Sequence, residues 1–241
     1  MGFVRQIAAL LFIVALPVAL VTTTIRVAVN EPRVYEYATD HYDTPATTGI
    51  ARSELLRASG ELRDYFNGDD DGPVFIRVRR DGELVSLFNP QETAHLQDVR
   101  ALFQGTFRAQ EASVIFVLAY IVLVFIWARE GTLRLLASEV LASALLSLLV
   151  LGIVGGIAAT GFDQTFDQFH QIAFTNDFWQ LDPDRDHLIQ MFPEDFWRDI
   201  TIWVGAATLA GLGILASGAG LYLGLTRTEP DAVALPEGVQ A

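Results

Sequence analysis

The sequence predicts an all-α membrane protein: four transmembrane helices joined by two extracytoplasmic loops, the first of which contains a small β-hairpin. Three observations predict this. Of the 241 residues, 51% are hydrophobic and only 19% are charged, whereas soluble domains usually carry about 25% charged residues. The apolar residues gather into four blocks, each near the roughly 20 residues that cross a hydrocarbon core of about 30 Å. Between blocks two and three the chain is short and arginine-flanked, while the other two connections are long and acidic.

The first block covers about 6–29, with Pro17 in its middle and Arg26 near its end. Arg5 ahead of an apolar run resembles a secretory signal peptide. The run is longer than a signal core, however, and no A-x-A site follows Val21, so it reads as a retained span. Pro17 predicts a kink that neighbouring helices can accommodate. The second block, 112–128, is short and draws length from the segment before it. The third covers 135–160 and contains Glu139, an intramembrane acid expected to snorkel or to pair with Arg134. The fourth covers 201–225 and is rich in glycine, as is the third at Gly152 and Gly156. Small residues permit close helix packing, which is the role expected of them.

Arginine placement sets the orientation. Arg5, Arg129, Arg134 and Arg227 lie on the short pieces, which places both termini in the cytoplasm. In the first outer loop, 30–111, residues 30–110 carry nine arginines against fourteen carboxylates; the second, 161–200, carries two against nine. Residues 1–225 therefore read as one integral membrane domain. Residues 226–241, polar and proline-containing, read as a disordered cytoplasmic tail.

Composition also excludes chemistries. Cysteine is absent, which removes disulfides, thiolate nucleophiles and cysteine-based metal sites. A net charge of −13 argues against nucleic acid as a partner. All sixteen basic residues are arginine. No nucleotide partner is expected, because neither a P-loop nor a dinucleotide fingerprint occurs, and GxSxG and HExxH are also lacking.

Within the first outer loop, apolar positions at Ile50, Leu55, Leu56, Leu62 and Phe66 predict a helix over 48–66. Asp81-Gly82 predicts a two-residue hairpin turn with positive φ at both positions. That register places Val78 opposite Val85 and Ile76 opposite Leu87, with Arg77 and Arg79 on the other face. Asn89 then opens a helix as N-cap, with Pro90 at the first position and Glu92 closing a capping box. Along it, Glu92, His95, Asp98 and Val99 share one side. A histidine between carboxylates can be fixed in one tautomer; the same spacing also suits an exposed polar helix start.

The second outer loop begins with an amphipathic helix. Phe162, Phe166, Phe169, His170 and Ala173 share its apolar face, opposite Asp163, Gln164, Asp167, Gln168 and Gln171, which suits a helix at the water–lipid boundary. Phe174, Phe178, Trp179, Phe192, Phe196 and Trp197 extend the aromatic density. Asp182-Pro183 predicts a further short helix, ended by Phe192-Pro193. His170 departs from the pattern by lying on the apolar face; a buried neutral histidine bonded to a carbonyl is the plain alternative. Arg185, Asp186 and His187 read as a solvated helix face, and His41 as an ordinary surface residue.

Two histidines, His95 and His170, thus lie on elements that emerge on the same side of the membrane. A metal-dependent membrane hydrolase, its metal held by them and nearby carboxylates, is one option, and a non-catalytic envelope scaffold or sensor is another. The segment ETAHLQDV, carrying Glu92, His95, Asp98 and Val99, resembles a bacterial four-helix membrane family. So does the later run with Phe169, His170, Phe174, Trp179, Asp182, Pro183, Asp186, Leu188, Ile189, Phe192, Pro193 and Phe196. The characterised branch of that family is the lipoprotein intramolecular transacylase. The likeness extends to about Leu225 and includes the helix count and both outer loops.

The resemblance implies a location in the bacterial cytoplasmic membrane and an acyl transfer from the sn-2 glyceryl ester of a diacylated lipoprotein to its N-terminal cysteine amine. It implies no cofactor. His170 would be the base and His95 the proton donor and oxyanion partner, roles open to exchange. Asp98 or Glu92 would orient His95, while Phe166, Phe169, Phe174 and Trp179 would hold acyl chains.

Overall fold

A computed structural model describes residues 2–69, 72–126 and 132–226. The tail expected to be disordered lies outside them, apart from its first residue. In chain order the elements are α1 (Gly2–Asn30), α2 (Pro32–His41), α3 (Thr44–Thr48), α4 (Arg52–Asn67), β1 (Arg77–Arg80), β2 (Glu83–Ser86), α5 (Pro90–Ile126), α6 (Thr132–Thr160), α7 (Phe162–Ala173), α8 (His187–Met191) and α9 (Glu194–Leu225). The four long helices α1, α5, α6 and α9 are the four apolar blocks, and each is long and apolar enough to cross a membrane.

The excess length of α5 positions the site. Its 37 residues span about 55 Å at 1.5 Å per residue, far beyond a core of about 30 Å. Its apolar stretch starts after Glu111, so the first half, with Glu92, Asp98, Arg100 and Arg108, stands clear of the hydrocarbon.

The membrane bundle packs around α1, which continues as one helix through Pro17 and touches α5, α6 and α9. Phe12, Leu16 and Ala19 of α1 bury against Val117 and Tyr120 of α5, and the Phe12 and Tyr120 rings stack with centroids 4.7 Å apart. Glu139 neither snorkels nor pairs with Arg134. It is 5% exposed and accepts a hydrogen bond from the Tyr120 hydroxyl at 2.9 Å. Arg134 instead donates to carbonyls at the end of α9, Leu223 and Thr226.

The close-packing role expected of the glycines is also corrected. A Cβ at Gly152, Gly156, Gly205, Gly213, Gly218, Gly220 or Gly224 would meet nothing within 4 Å, and only at Gly211 would it reach a neighbour on another helix, Leu20 at 3.8 Å. The buried stripe of α9 in the bundle is Thr208 and Leu212, and most of the glycines fall off that helical face.

Outside the membrane, α2, α4, the hairpin, the starts of α5 and α9, and α8 share a separate core that includes Leu55, Leu62, Phe66, Val78, Leu87, Leu96, Met191, Phe192 and Phe196. The hairpin has the expected register, Val78 opposite Val85, and the Leu87 amide donates to the Ile76 carbonyl at 2.9 Å. Asp81 (φ 52°) and Gly82 (φ 85°) form its turn. The expected helix over 48–66 starts at Arg52 instead. Thr48 ends α3, and Gly49 (φ 66°) breaks the chain between the two. In the second loop, Asp182-Pro183 forms a turn rather than a helix start. The Arg185 and Asp186 amides fold back onto the Asp182 carbonyl, and α8 begins at His187 with Asp186 at its cap.

A candidate active site between the two large loops

The site begins with a helix start. Asn89 Oδ1 accepts from the Gln91 and Glu92 amides at 2.9 and 3.0 Å, while Glu92 Oε2 accepts from the Asn89 amide at 2.7 Å. This is the expected capping box. It fixes the first turn of α5 and so the direction in which His95, one turn later, projects.

The other Glu92 oxygen reaches across 96 residues to the Leu188 amide at 2.6 Å. Nearby, Asn89 Nδ2 donates to Asp186 Oδ1 at 2.9 Å, and Asp186 also accepts from the Asp182 amide at 2.7 Å and from Arg185 Nε at 2.9 Å. Asp186, expected on a solvated face, is 0% exposed. The start of α5 thereby clasps the second outer loop.

That clasp brings the two histidines together. The rings of His95 on α5 and His170 on α7 lie 5.9 Å apart between centroids, and the residues are 6% and 7% exposed. His170 Nδ1 lies 2.7 Å from the Phe166 carbonyl one turn back. A carbonyl only accepts, so Nδ1 carries the hydrogen and Nε2 is left with a free lone pair. His95 Nδ1 is buried with no hydrogen-bond partner.

Burial shapes the electrostatics. It pushes His95 down to about 4, helped by the neighbouring His170 and opposed by the Asp98 charge. Burial also lowers His170, against the Phe166 carbonyl and the charge of Asp167. Both imidazoles are therefore neutral at neutral pH, the state in which one accepts a proton and the other donates a hydrogen bond.

The four aromatic residues singled out in the sequence all surround this pair. From the His170 ring, the Phe166, Trp179, Phe169 and Phe174 rings lie at 4.3, 5.0, 5.3 and 5.6 Å, and Trp179 is stacked on it. Phe174 also sits edge-on to His95 at 5.1 Å. Phe169, at 48% exposed, and Ile172 beyond it turn outward from α7 as an apolar surface.

The two carboxylates expected to orient His95 have other partners. Glu92 is committed to backbone amides, and Asp98 Oδ2 accepts from Asn176 Nδ2 at 2.9 Å. Asn176, Asp186 and Gln91, whose Nε2 donates to the Gln180 carbonyl at 2.9 Å, are thus site-building residues whose partners lie too far along the chain for spacing to reveal. His187 lies apart, with Nδ1 donating to the Leu87 carbonyl at 2.9 Å, and His41 stacks on Tyr37.

The family described as lipoprotein intramolecular transacylase Lit matches residues 10–197. The chain belongs to the Lit family. Its fold is that of the membrane-integral Lit from Bacillus cereus, with a TM-score of 0.78 at 18% identity over 93% of this chain and 98% of that one. A second structure of that Lit, with one histidine replaced by arginine, aligns with a TM-score of 0.73 at 17% identity, over 93% of this chain and 94% of that one. An uncharacterised protein of Aquifex aeolicus is 25% identical over 218 residues, 89% of this chain and 94% of its own length. In this Lit-family chain, the histidine pair lies where the two large loops meet, near the start of α5 and beyond the end of α6.

Proposed function

We propose that this protein transfers the sn-2 acyl chain of a diacylglyceryl lipoprotein to the α-amine of the lipoprotein's N-terminal cysteine, leaving a lyso-lipoprotein. The reaction takes place at the outer leaflet of the bacterial cytoplasmic membrane, with both termini of the enzyme inside. The observation that carries the reading is the pairing of two neutral, buried imidazoles from different loops, one with its Nε2 lone pair free.

The substrate amine has a reference pKa of about 7.7–8.0, so much of it arrives protonated. His170 Nε2 takes that proton, and the freed nitrogen attacks the ester carbonyl. As the tetrahedral intermediate forms, negative charge gathers on the carbonyl oxygen, where an N–H of His95 stabilises it. The nitrogen sheds its second proton to the imidazole pair as the carbon–oxygen bond breaks, the glyceryl oxygen receives a proton from that same pair, and the proton left over from the ammonium passes to water. An ester has become an amide and an alcohol, a downhill exchange that needs no cofactor or carrier. Donor and acceptor share one molecule, and holding them in contact draws on the roughly 7–11 kcal/mol available from proximity.

Phe166, Phe169, Phe174 and Trp179 line the acyl side of the site. Glu92 and Asp98 act through the loops, keeping α5 in register with the second one. The test is expression in a host lacking lipoprotein N-acylation, followed by mass spectrometry of lipoprotein N-termini. The wild-type chain is expected to yield N-acylated lyso-lipoprotein, while His95→Ala and His170→Ala yield none at equal membrane abundance. Product from both variants would defeat the assignment.

A further inference from the structure

The two imidazoles of the proposed reaction are more than nine-tenths buried. With centroids 5.9 Å apart, they leave no space for a carbon between the two rings, since carbon contacts are optimal near 3.5–4.0 Å on each side. The cover is identifiable. After α7 the chain runs without helix from Thr175 to Leu181, and Trp179 from this stretch stacks on His170.

The stretch is organised by its own bonds. The Phe178 amide donates to Asn176 Oδ1, the Gln180 amide to the Asp177 carbonyl, and the Leu181 amide to the Trp179 carbonyl. Its ties to α5 are side-chain bonds. Gln91 Nε2 donates to the Gln180 carbonyl at 2.9 Å and lies 3.4 Å from that of Phe178, and Asn176 Nδ2 donates to Asp98. A segment folded on itself, tied to α5 through two side-chain links and to α7 through the Trp179 stack, can move as a unit without breaking secondary structure.

We propose that residues 175–181 form a strap, closed over His170 here, which is displaced to admit the lipid-linked ester and amine, and that Gln91 and Asn176 are the positioning residues that latch it. Release uncovers the His170 ring beside Phe169 and Ile172, the outward apolar face of α7, so the acyl chains enter from the lipid side. This rests on the acyl-transfer reading for its substrate, but its mechanics are testable separately.

The chain has no cysteine, so Gln91→Cys with Gln180→Cys introduces a single thiol pair. Bridged by a short, reducible bis-thiol reagent in proteoliposomes, the strap is held closed. Turnover is expected to fall at least tenfold and to return on reduction; a bridged enzyme with undiminished turnover would overturn the proposal.

A second measurement needs no activity. Diethyl pyrocarbonate modification of His170, read by peptide mass spectrometry against exposed His41, is expected to quicken severalfold in Gln91→Ala and Asn176→Ala and to slow in the bridged protein. A His170 rate indifferent to both release and bridging would also overturn it. If the unbridged protein makes no N-acyl product, the acyl-transfer reading fails, while the modification rates still decide the strap.

Discussion

His170 is tied through Nδ1 to the carbonyl of Phe166, one turn earlier on the same helix, at 2.7 Å. This local bond orients a ring that meets a histidine 75 positions away in sequence, and it decides which nitrogen is basic. His170→Asn tests the division of labour between the two nitrogens. Its amide can still donate to Phe166, but nothing replaces Nε2. The variant is expected to insert and melt much like the wild type while losing a factor of about 10²–10⁴ in turnover, the usual contribution of a general base. The paired measurement is N-acyl product by mass spectrometry and melting in detergent.

Acid should destabilise the outer part of the protein through the same pair. His95 falls from an ordinary 6.5 to about 4 in the fold, so the unfolded chain binds more protons between those values. Stability conferred by the lowered value is therefore complete above pH 6.5 and is lost as pH falls toward 4. At 1.36 kcal/mol per unit the loss from His95 is roughly 3 kcal/mol. His170, also lowered, acts in the same direction. Thermal melts from pH 7.5 to 4 should show a steeper acid limb for the wild type than for His95→Gln.

The joint between loops gives a prediction with a different signature. Asp186→Ala leaves Asn89 Nδ2 and the Asp182 amide without their acceptor. Each buried unsatisfied group costs about 1–3 kcal/mol. Glu92→Ala similarly strips the Asn89 and Leu188 amides. Both variants are expected to melt earlier and to lose activity in proportion to the folded fraction. Activity lost at unchanged stability would instead place either carboxylate in the chemistry.

Inside the bundle, Tyr120→Phe removes the hydroxyl bound to Glu139. Hydrogen bonds between membrane helices average only about 0.6 kcal/mol in double-mutant cycles. The substitution is therefore expected to shift melting slightly and to leave turnover unchanged, since the pair lies within the bundle core, away from the histidines. A large loss of activity would assign this acid a role beyond packing.

Local signals were readable wherever their partners lay within a few residues. The Asp81-Gly82 turn, the Asn89–Glu92 box and the apolar face of α7 each express one backbone geometry, and all three are present as read. Elements α2 and α3 were missed because they bury few side chains: Tyr35, Ala38 and Thr39 on one, Thr44 and Thr48 on the other. Asp182-Pro183 misled because the residues that start a helix also start a turn. The glycines of α9 misled because composition does not say which helical face meets a neighbour.

Hydropathy, periodicity and capping chemistry determined the four spans, the hairpin register and the pair of histidines worth following, because each depends on neighbours in sequence and on the solvent around them. Which groups finally touch was decided by the fold. Glu92 binds the Leu188 amide, Asp98 binds Asn176, and Asp186 disappears into a joint between loops. These partners stand 78 to 97 residues apart, and only the packing of α5 against the second loop brings them within the 3 Å or so over which hydrogen bonds act.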